Sequence, residues 1–506
     1  MNKAETPAGA RRVFFRTLRA LLVALSACAS LHAGGLIVED IFGRDLNQHG
    51  LTMVDWDGYM ANPAIEFFIL PPADARFPAR ATVSADNERL YFDFPSTFGP
   101  QGPATHIVFP NASTKVPVYI GNAPDRDSAD GHFHLRIAFT GADGRTESLA
   151  VPIHEIDLDR HRPPEFHLIV DFSQDRTGMF ASEQARQVVR DAVADWAYFL
   201  GDMHLDEVPA GAEQTFIWGT QGFDSGDTVR NQSPYSGFLL YVYGTHGPRL
   251  RSGGDVGFAG GLESSGGVAL ELKRSGGVAV ETAGNYNTLG WDLDHSDGSW
   301  WVSGNQQGEQ NELFSIMHHE TGHALAFDTE QPRWAKFRAG GCVNDPAVIA
   351  YHGSCPKITP DDHMTGERDN ESLKGAFGDE YSGAVPIRRW FITKLDLLAA
   401  QAVGYKLRPT AAFAPLTIAS GQLSDAATGV AYSETLMAQG GIPFYNWTIS
   451  AGALPDGLTL DSFTGRISGV PTREGAFSFT ILLQDYHLGS KGATKKLAIN
   501  VGNSLK

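Results

Sequence analysis

One short stretch constrains this chain more than any other: residues 319–323, HETGH, fit the pattern H-E-x-x-H. In a helix, side chains four apart lie one above the other on the same face. His319 and His323 can therefore offer two imidazoles to one zinc ion, while Glu320 lies one step around, where it can hold a water without ligating the metal. His318 points about 100° away from His319 on such a helix, so we expect it to support the site or be partly buried rather than to be a ligand.

The residues around this motif predict the helix that it requires. From Glu312 to Phe327, apolar side chains recur at steps of three and four, which is the spacing of an amphipathic helix. The apolar residues on this face are Leu313, Ile316, Met317, Ala324 and Phe327. Because a catalytic zinc normally takes three protein ligands, one ligand has to come from elsewhere in the chain.

The overall composition limits the partners of such a chain. With 506 residues, 42% of them hydrophobic, the chain can bury several cores. A usual length of about 150 residues per domain predicts roughly three domains. Lys and Arg number 40 against 58 Asp and Glu, which gives a net charge of -18. This negative charge argues against a phosphate backbone or an anionic membrane as the main partner, so we expect no nucleic-acid partner.

The N-terminus has the pattern of an export signal. Arginines at positions 11–19 precede an apolar run at 21–25, and small residues follow through Ala33. This pattern predicts a signal peptide over residues 1–33 and a secreted or cell-surface protein. Lipoprotein processing at Cys28 is the alternative, whereas a transmembrane anchor is disfavoured because the run is shorter than the ~20 residues that a span needs.

Two cysteines remain beyond the signal segment, Cys342 and Cys355. A cysteine pair in an exported protein predicts a disulfide. By the loop-entropy model, a bridge that closes so short a loop contributes about 3 kcal/mol. Two free thiols are the alternative reading, and zinc ligation by the pair is disfavoured because it does not form a C-x-x-C.

The region over residues 34–162 consists of short β-rich runs between clusters of Gly, Pro and Asn. Examples are the runs at 89–94 and 134–139, which show no helical period. We therefore expect an N-terminal β-sandwich that serves as a packing or binding module. An inhibitory pro-domain is the alternative that the sequence leaves open.

Residues 163–408 alternate between strand and helix patterns, which predicts an α+β domain. Strands are expected at 166–172 and 238–243, with an amphipathic helix from about Ser182 between them. The residues expected on its buried face are Ala185, Val188, Val189, Ala192, Trp196, Phe199 and Leu200. Two near-identical ten-residue segments follow, SSGGVALELK and RSGGVAVETA, which predict two successive strands or a hairpin.

The motif and its continuation, HETGHALAFD, resemble the signature of metzincin-like zinc proteases, which implies a zincin-like catalytic domain. The sequence departs from that signature at Ala326, where the family has Gly, and at Thr329, where a compact metzincin has its third ligand. Asp328 is one step out of register. A thermolysin-like arrangement fits poorly, because Val343 stands where its downstream Glu would be. In leishmanolysin-type relatives the third histidine comes from much further downstream.

Two downstream histidines are candidates for that third ligand. His363 lies in DDHMTGERDNESLKGAFGDE, and ITKLDLLAAQAVGY follows at a distance. Together these segments resemble the ending of bacterial members with a distant ligand, so the resemblance implies zinc ligation by His319, His323 and His363. His352, between the two cysteines, is the alternative. Met364 is too close to His363 to match the Met-turn of the family.

The C-terminal region, residues 409–506, returns to strands and turns. Its segment LPDGLTLDSFTGRISGVPT closely resembles the core of the bacterial Ig-like repeat of the He-PIG type. The resemblance implies a C-terminal Ig-like β-sandwich of the kind used as a stalk, spacer or adhesion unit, and therefore contact with a cell surface or matrix. Nothing in this region resembles a catalytic signature.

A second metal is a weaker expectation. Asp292, Asp294 and Asp297 could give oxygen ligands to calcium, although the EF-hand register fails and ordinary turn chemistry explains the same residues.

These observations predict a multidomain, secreted zinc-dependent endopeptidase that acts on a protein or peptide substrate. Glu320 would be its general base. Tyr381 is one candidate for stabilising the oxyanion. The alternative function is that of a cell-surface adhesin or binding protein with a structural zinc site, which would not need Glu320.

Overall fold

A computed structural model describes residues 35–56, 60, 62–87, 89–93, 104–112, 114–125, 128–158, 162–215, 228–244, 254–259, 262–265, 268–280, 313–327, 331–359, 362–365, 391–486 and 492–503. Over these ranges the chain is mostly β-sheet with few helices. None of the helices in the described ranges combines the length and the apolar character needed to cross a membrane.

The N-terminal strands form two sheets. They are β1 (Ile37–Asp40), β2 (Leu51–Asp55), β3 (Ile65–Leu70), β4 (Ala79–Ala85), β5 (Leu90–Asp93), β6 (Ala104–Phe109), β7 (Val116–Asn122), β8 (Gly131–Thr140) and β9 (Thr146–Asp157). One sheet has the order β1-β3-β7-β5 and the other β2-β9-β8-β4-β6. In β8, Leu135, Ile137 and Phe139 are buried while the residues between them are exposed, as a period of two requires. The prediction of short strands in this region is confirmed.

A buried polar cluster joins the two sheets. The Arg89 guanidinium forms ion pairs with Asp55, Asp125 and Glu155, and all four side chains are buried. Burial is the main reason why the pKa values of Asp55 and Glu155 are raised, and Arg89 offsets it only in part. Three buried carboxylates thus surround one buried guanidinium.

A second set of strands forms both the sheet that packs against the H-E-x-x-H helix and a separate two-stranded sheet. They are β10 (Leu168–Asp171), β11 (Glu213–Thr215), β12 (Thr228–Arg230), β13 (Phe238–Gly244), β14 (Gly254–Ala259), β15 (Leu262–Ser265), β16 (Val268–Lys273) and β17 (Ser275–Val280). The main sheet has the order β10-β13-β17-β14-β11-β12. Strands β10, β13 and β17 are parallel, and β14 runs antiparallel to β17. The two glycine-containing repeats are successive strands, β16 and β17, that pair with different neighbours.

Two helices pack against this sheet and against each other. Helix α1 spans Glu183–Phe199, and helix α2, which carries the motif, spans Leu313–Leu325. Both predicted helices are confirmed, and the whole predicted face of α1 is buried. Gly276 in β17 explains the close approach of α2, because a Cβ there would lie 3.1 Å from both the Cβ and the carbonyl oxygen of Ala324.

Short elements follow α2 along the chain. They are α3 (Pro332–Gly340), α4 (Pro346–His352), β18 (Lys357–Ile358), β19 (Met364–Thr365) and α5 (Lys394–Val403). Strands β18 and β19 form a small antiparallel hairpin. Helix α5 begins at a capping box, in which Thr393 accepts from the Asp396 amide and the Asp396 carboxylate accepts from the Thr393 amide.

The C-terminal part has its own sheets and apolar core. After a 3₁₀ helix (Ala411–Phe413) come β20 (Thr417–Ile418), β21 (Ala426–Ala427), β22 (Tyr432–Thr435), β23 (Ala438–Gln439), β24 (Asn446–Gly452), β25 (Leu458–Leu460), β26 (Arg466–Gly469), β27 (Gly475–Gln484) and β28 (Ala493–Gly502). The larger sheets have the orders β21-β28-β27-β24 and β22-β26-β25. Trp447, Ile467 and Ile481 lie in the core between them. This architecture agrees with the predicted Ig-like β-sandwich.

The N-terminal part contacts the C-terminal part through Arg44. Its guanidinium pairs with Asp40 at 2.7 Å and donates to the carbonyl oxygens of Tyr445 and Ser462 at 3.0 and 2.8 Å. It also lies 4.1 Å from the ring centroid of Phe463. This buried cation therefore joins the loop after β1 to two loops of the Ig-like part.

The N-terminal part also contacts the region around α5. Met60 forms a parallel bridge with Ile392, and the Lys394 ammonium lies 5.3 Å from the ring centroid of Trp56. The same ammonium lies 4.9 Å from the Tyr351 ring and 5.7 Å from the Phe413 ring. These contacts belong to one apolar cluster that extends from β1 through the helices to Tyr486.

Candidate metal site

Three histidine side chains converge beside α2. The Nε2 atom of His363 lies 3.1 Å from Nε2 of His319 and 3.4 Å from Nε2 of His323. All three ligand atoms lie within 4.8 Å of one another. His319 and His323 come from successive turns of one helix, whereas His363 comes from the β18–β19 hairpin, 40 residues beyond His323.

This arrangement fits a tetrahedral zinc ion. Nitrogens bound to zinc at 2.0–2.1 Å with tetrahedral angles are about 3.3–3.4 Å apart, close to the two separations from His363. The Nδ1 atom of His323 lies 2.8 Å from the carbonyl oxygen of Phe327, to which it can only donate. That hydrogen bond fixes the proton on Nδ1 and leaves the Nε2 lone pair of His323 for a metal.

Glu320 follows His319 directly on α2. Its side chain is mostly buried, with 6% of its surface exposed. It is one residue after a candidate ligand on the same helix, and it is not a member of the group of three histidines. A carboxylate in this place can accept a proton from a water held between it and a metal.

His318 turns away from the three histidines, as the helical geometry predicts. Its Nε2 atom lies 2.8 Å from the Oδ2 atom of Asp195 on α1, and both side chains are 1% exposed. Trp196, next to Asp195, donates from Nε1 to the His318 carbonyl oxygen at 2.8 Å. These two contacts fix the rotation of α2 relative to α1, and hence the direction in which His319 points.

The C-terminal end of α2 is also held by polar contacts. The carbonyl oxygen of Leu325 accepts from the Tyr405 hydroxyl at 3.1 Å and from the Gln331 side-chain amide. Sequence reasoning did not identify Asp195 or Gln331, because their neighbours form no chemical motif. It quoted Tyr405 only as the last residue of ITKLDLLAAQAVGY and gave it no role. The helical period of α1 could have indicated only that a charged residue lies on a buried face.

The two cysteines form the predicted disulfide, with a Cα–Cα distance of 5.7 Å between Cys342 and Cys355. The prediction of a Cys342–Cys355 bridge is therefore confirmed. His352, the alternative third ligand, ends α4, and its Nδ1 atom lies 3.0 Å from the Ser354 carbonyl oxygen. The structure brings His363 to the other two histidines and does not bring His352 there. Met364, beside His363, is buried.

Other predictions concern residues outside the described ranges. They include the signal peptide over residues 1–33, the candidate calcium ligands and the candidate oxyanion tyrosine. They also include the two residues at and beside the position where a compact metzincin has its third ligand. These residues are Cys28, Asp292, Asp294, Asp297, Asp328, Thr329 and Tyr381.

Several solved structures are similar to parts of this chain. A "putative alpha-galactosidase" from Bacteroides fragilis is 30% identical over 17% of this chain and 17% of its own, with a TM-score of 0.15. A "putative alpha-galactosidase/melibiase" from the same organism is 23% identical over 17% of this chain and 16% of its own, with a TM-score of 0.14. This chain thus spans about a sixth of the length of either protein. Mouse cadherin-23 EC22-24 is 8% identical over 93% of this chain and 99% of its own, with a TM-score of 0.18.

None of the curated proteins matches this chain. A protein family, He_PIG, described as "Putative Ig domain", matches residues 414–500. This match covers the strands β20 to β27 and most of β28, and it agrees with the resemblance noted in the sequence. The chain therefore carries an Ig-like domain at its C-terminal end.

Proposed function

We propose that this protein is a zinc-dependent endopeptidase in which His319, His323 and His363 bind zinc and Glu320 is the general base. One observation carries the proposal: the Nε2 atom of His363 lies 3.1 and 3.4 Å from the Nε2 atoms of the two histidines of an H-E-x-x-H helix. The sequence motifs around these residues resemble those of leishmanolysin-type metzincins with a distant third ligand.

Each group in this proposal has a separate task. His319, His323 and His363 would hold the zinc, which when bound would supply a Lewis acid able to acidify water and polarise a carbonyl group. Glu320 accepts a proton from the attacking water and returns it to the leaving amine. The hydrogen bond from His323 to Phe327 and the contact between His318 and Asp195 keep the ligands oriented before a metal arrives.

The order of the surrounding elements supports the same interpretation. A strand–helix–strand layout leads into the motif helix, which is the layout that the resemblance to zincins implies. Helix α1 follows β10, and α2 comes after β17, the third parallel strand of the sheet. The motif therefore lies on a regular helix that is packed on a sheet. A chance match to H-E-x-x-H in a loop would not have this setting.

An adhesin with a structural zinc site is the competing function. Structural zinc sites normally have four protein ligands, whereas the group found among the described residues contains three histidines. A structural site also has no use for a carboxylate at position 320. Both features favour catalysis.

The setting of the enzyme is part of the proposal. We propose export on the basis of the N-terminal signal pattern and the disulfide, with a protein or peptide as the substrate. The Ig-like domain is then a structural or surface-contact unit attached to the enzyme.

Glu320→Gln tests the proposed chemistry. The variant should bind one zinc per chain like the parent, because the three ligands are unchanged, while casein hydrolysis should fall by roughly 10²–10⁴-fold because the general base is lost. Zinc content and casein hydrolysis, each with and without a chelator, are the measurements. Glu474→Gln, the same change at an exposed position of the Ig-like domain, is the control and should retain full activity.

Two outcomes would contradict the proposal. Activity of Glu320→Gln within tenfold of the parent would remove Glu320 as the base. A parent that binds zinc but does not hydrolyse casein or a peptide library would favour the structural-zinc alternative.

A further inference from the structure

The third histidine of the site is held by a chain segment of its own. We define the strap as residues 332–359 and 362–365, which run from α3 to β19. His319 and His323 are fixed by the helix that carries them, but His363 is 40 residues from His323 along the chain. A flexible segment of that length would hold an imidazole near a metal only part of the time.

The disulfide closes the strap at the base of the hairpin. Beside the bond between Cys342 and Cys355, the Val343 amide donates to the Pro356 carbonyl oxygen at 2.9 Å, and the Ile358 amide donates to the Gly341 carbonyl oxygen at 3.1 Å. Residues 341–343 and 355–358 therefore run side by side. The covalent bond lies within this paired region and keeps β18 against the end of α3.

Strand β18 in turn holds the backbone of His363. Ile358 pairs with Met364 in the hairpin. The Thr359 amide donates to the His363 carbonyl oxygen at 2.7 Å, and the His363 amide donates to the Thr359 Oγ1 atom at 2.9 Å. Both backbone polar groups of His363 are thus bound to the residue that directly follows β18.

Helix α3 fixes the residue before His363. The Trp334 indole donates to one carboxylate oxygen of Asp362 at 2.9 Å, and Arg338 pairs with the other at 3.2 Å. Asp362 has a φ of 68°, a left-handed conformation that residues other than glycine adopt only infrequently. These contacts with a fully buried Trp334 support that conformation, which turns the chain so that His363 faces α2.

We infer that the Cys342–Cys355 disulfide and the Asp362 contacts are positioning devices for His363, so that pairing of the two cysteines completes the metal site. This inference rests on the proposed function, since it concerns the same three ligands. A chain without the bridge would keep His319 and His323 on α2 but would present His363 only intermittently. Zinc affinity, rather than the chemistry at Glu320, is the property that the bridge controls.

The double variant Cys342→Ser/Cys355→Ser tests this inference. Zinc affinity, measured by competition with a chromophoric chelator, should fall by roughly 10–100-fold, which is the usual effect of losing a group that orients a ligand. In the zinc-free protein, hydrogen exchange should quicken at the Thr359 and His363 amides and stay unchanged in α2. His352→Ala, inside the disulfide loop but outside the hairpin, is the control and should keep parental affinity.

A second variant keeps the test decisive if the cysteine variant does not fold. Asp362→Asn leaves the disulfide intact and weakens the contact with Arg338, and it should also lower zinc affinity. Parental affinity and parental exchange in the folded variants would overturn the inference. If His319→Ala binds zinc as tightly as the parent does, the proposed metal site itself is wrong. The two failures are therefore distinguishable.

Discussion

Replacing Arg44 by methionine should weaken the contact between the N-terminal and Ig-like parts. Methionine keeps most of the length of the side chain but removes its charge and its hydrogen bonds. Arg44 is 9% exposed and its partner Asp40 is fully buried. The variant therefore leaves a buried carboxylate without its cation and leaves the carbonyl oxygens of Tyr445 and Ser462 without their charged donor.

The magnitude follows from that burial. Removing one member of a buried ion pair costs about 3–5 kcal/mol. Burial already raises the pKa of Asp40, and Arg44 offsets the rise only in part, so the variant should have a still higher Asp40 pKa. A carboxyl whose pKa is raised by folding contributes stability below its unfolded pKa and loses it as the pH rises through the folded pKa. The loss caused by Arg44→Met should therefore grow with pH.

Urea unfolding followed by tryptophan fluorescence can measure this loss, since Trp56 and Trp447 are buried in the two parts that separate. The first unfolding transition should lose about 3–5 kcal/mol near pH 8, and less at pH 5. The double variant Arg44→Met/Asp40→Asn should recover most of it, because no buried charge remains. A loss below about 1 kcal/mol, or one that is the same at both pH values, would refute the reasoning.

Two further variants test buried polar contacts elsewhere in the chain. Asp195→Ala should destabilise the zinc-free protein by about 1–3 kcal/mol in urea unfolding, because it removes a buried acceptor from the His318 ring; an unchanged midpoint would contradict this. Glu155→Gln should gain stability relative to the parent as the pH rises above the unfolded pKa, because burial raises the pKa of Glu155. A difference that is constant between about pH 4 and pH 8 would contradict that sign.

The elements with strong periodicity were predictable from the sequence. Ser182 is the N-cap of α1, where the helix was expected to begin, and the motif helix ends two residues before the predicted limit at Phe327. In both cases the buried face repeats at three and four residues over several turns, so local spacing and tertiary burial favour the same structure. The small hairpin of β18 and β19 has no such period, and its formation depends on the disulfide and on α3.

The positions of two of the three candidate ligands could likewise be predicted from local sequence spacing. The spacing of four between His319 and His323 placed both rings on one face, and the position of His318 turned it towards α1. The partner of His318 could not be predicted, because Asp195 lies 123 residues away and meets it only when the two helices pack. His363 was selected through its flanking resemblance, and no argument from periodicity would have selected it over His352.

The contacts made by the N-terminal part bear on whether it could be a removable pro-domain. A removable segment should leave behind a surface that tolerates water. Here Met60 pairs with Ile392 immediately before the capping box of α5, and Trp56 is one of the rings around Lys394. Arg44 also reaches the Ig-like domain, so the N-terminal part contacts both of the regions that follow it in the chain. Its removal would uncover a shared apolar core and take the charged donor Arg44 away from the carbonyl oxygens of Tyr445 and Ser462, which favours a permanent structural role over a temporary inhibitory one.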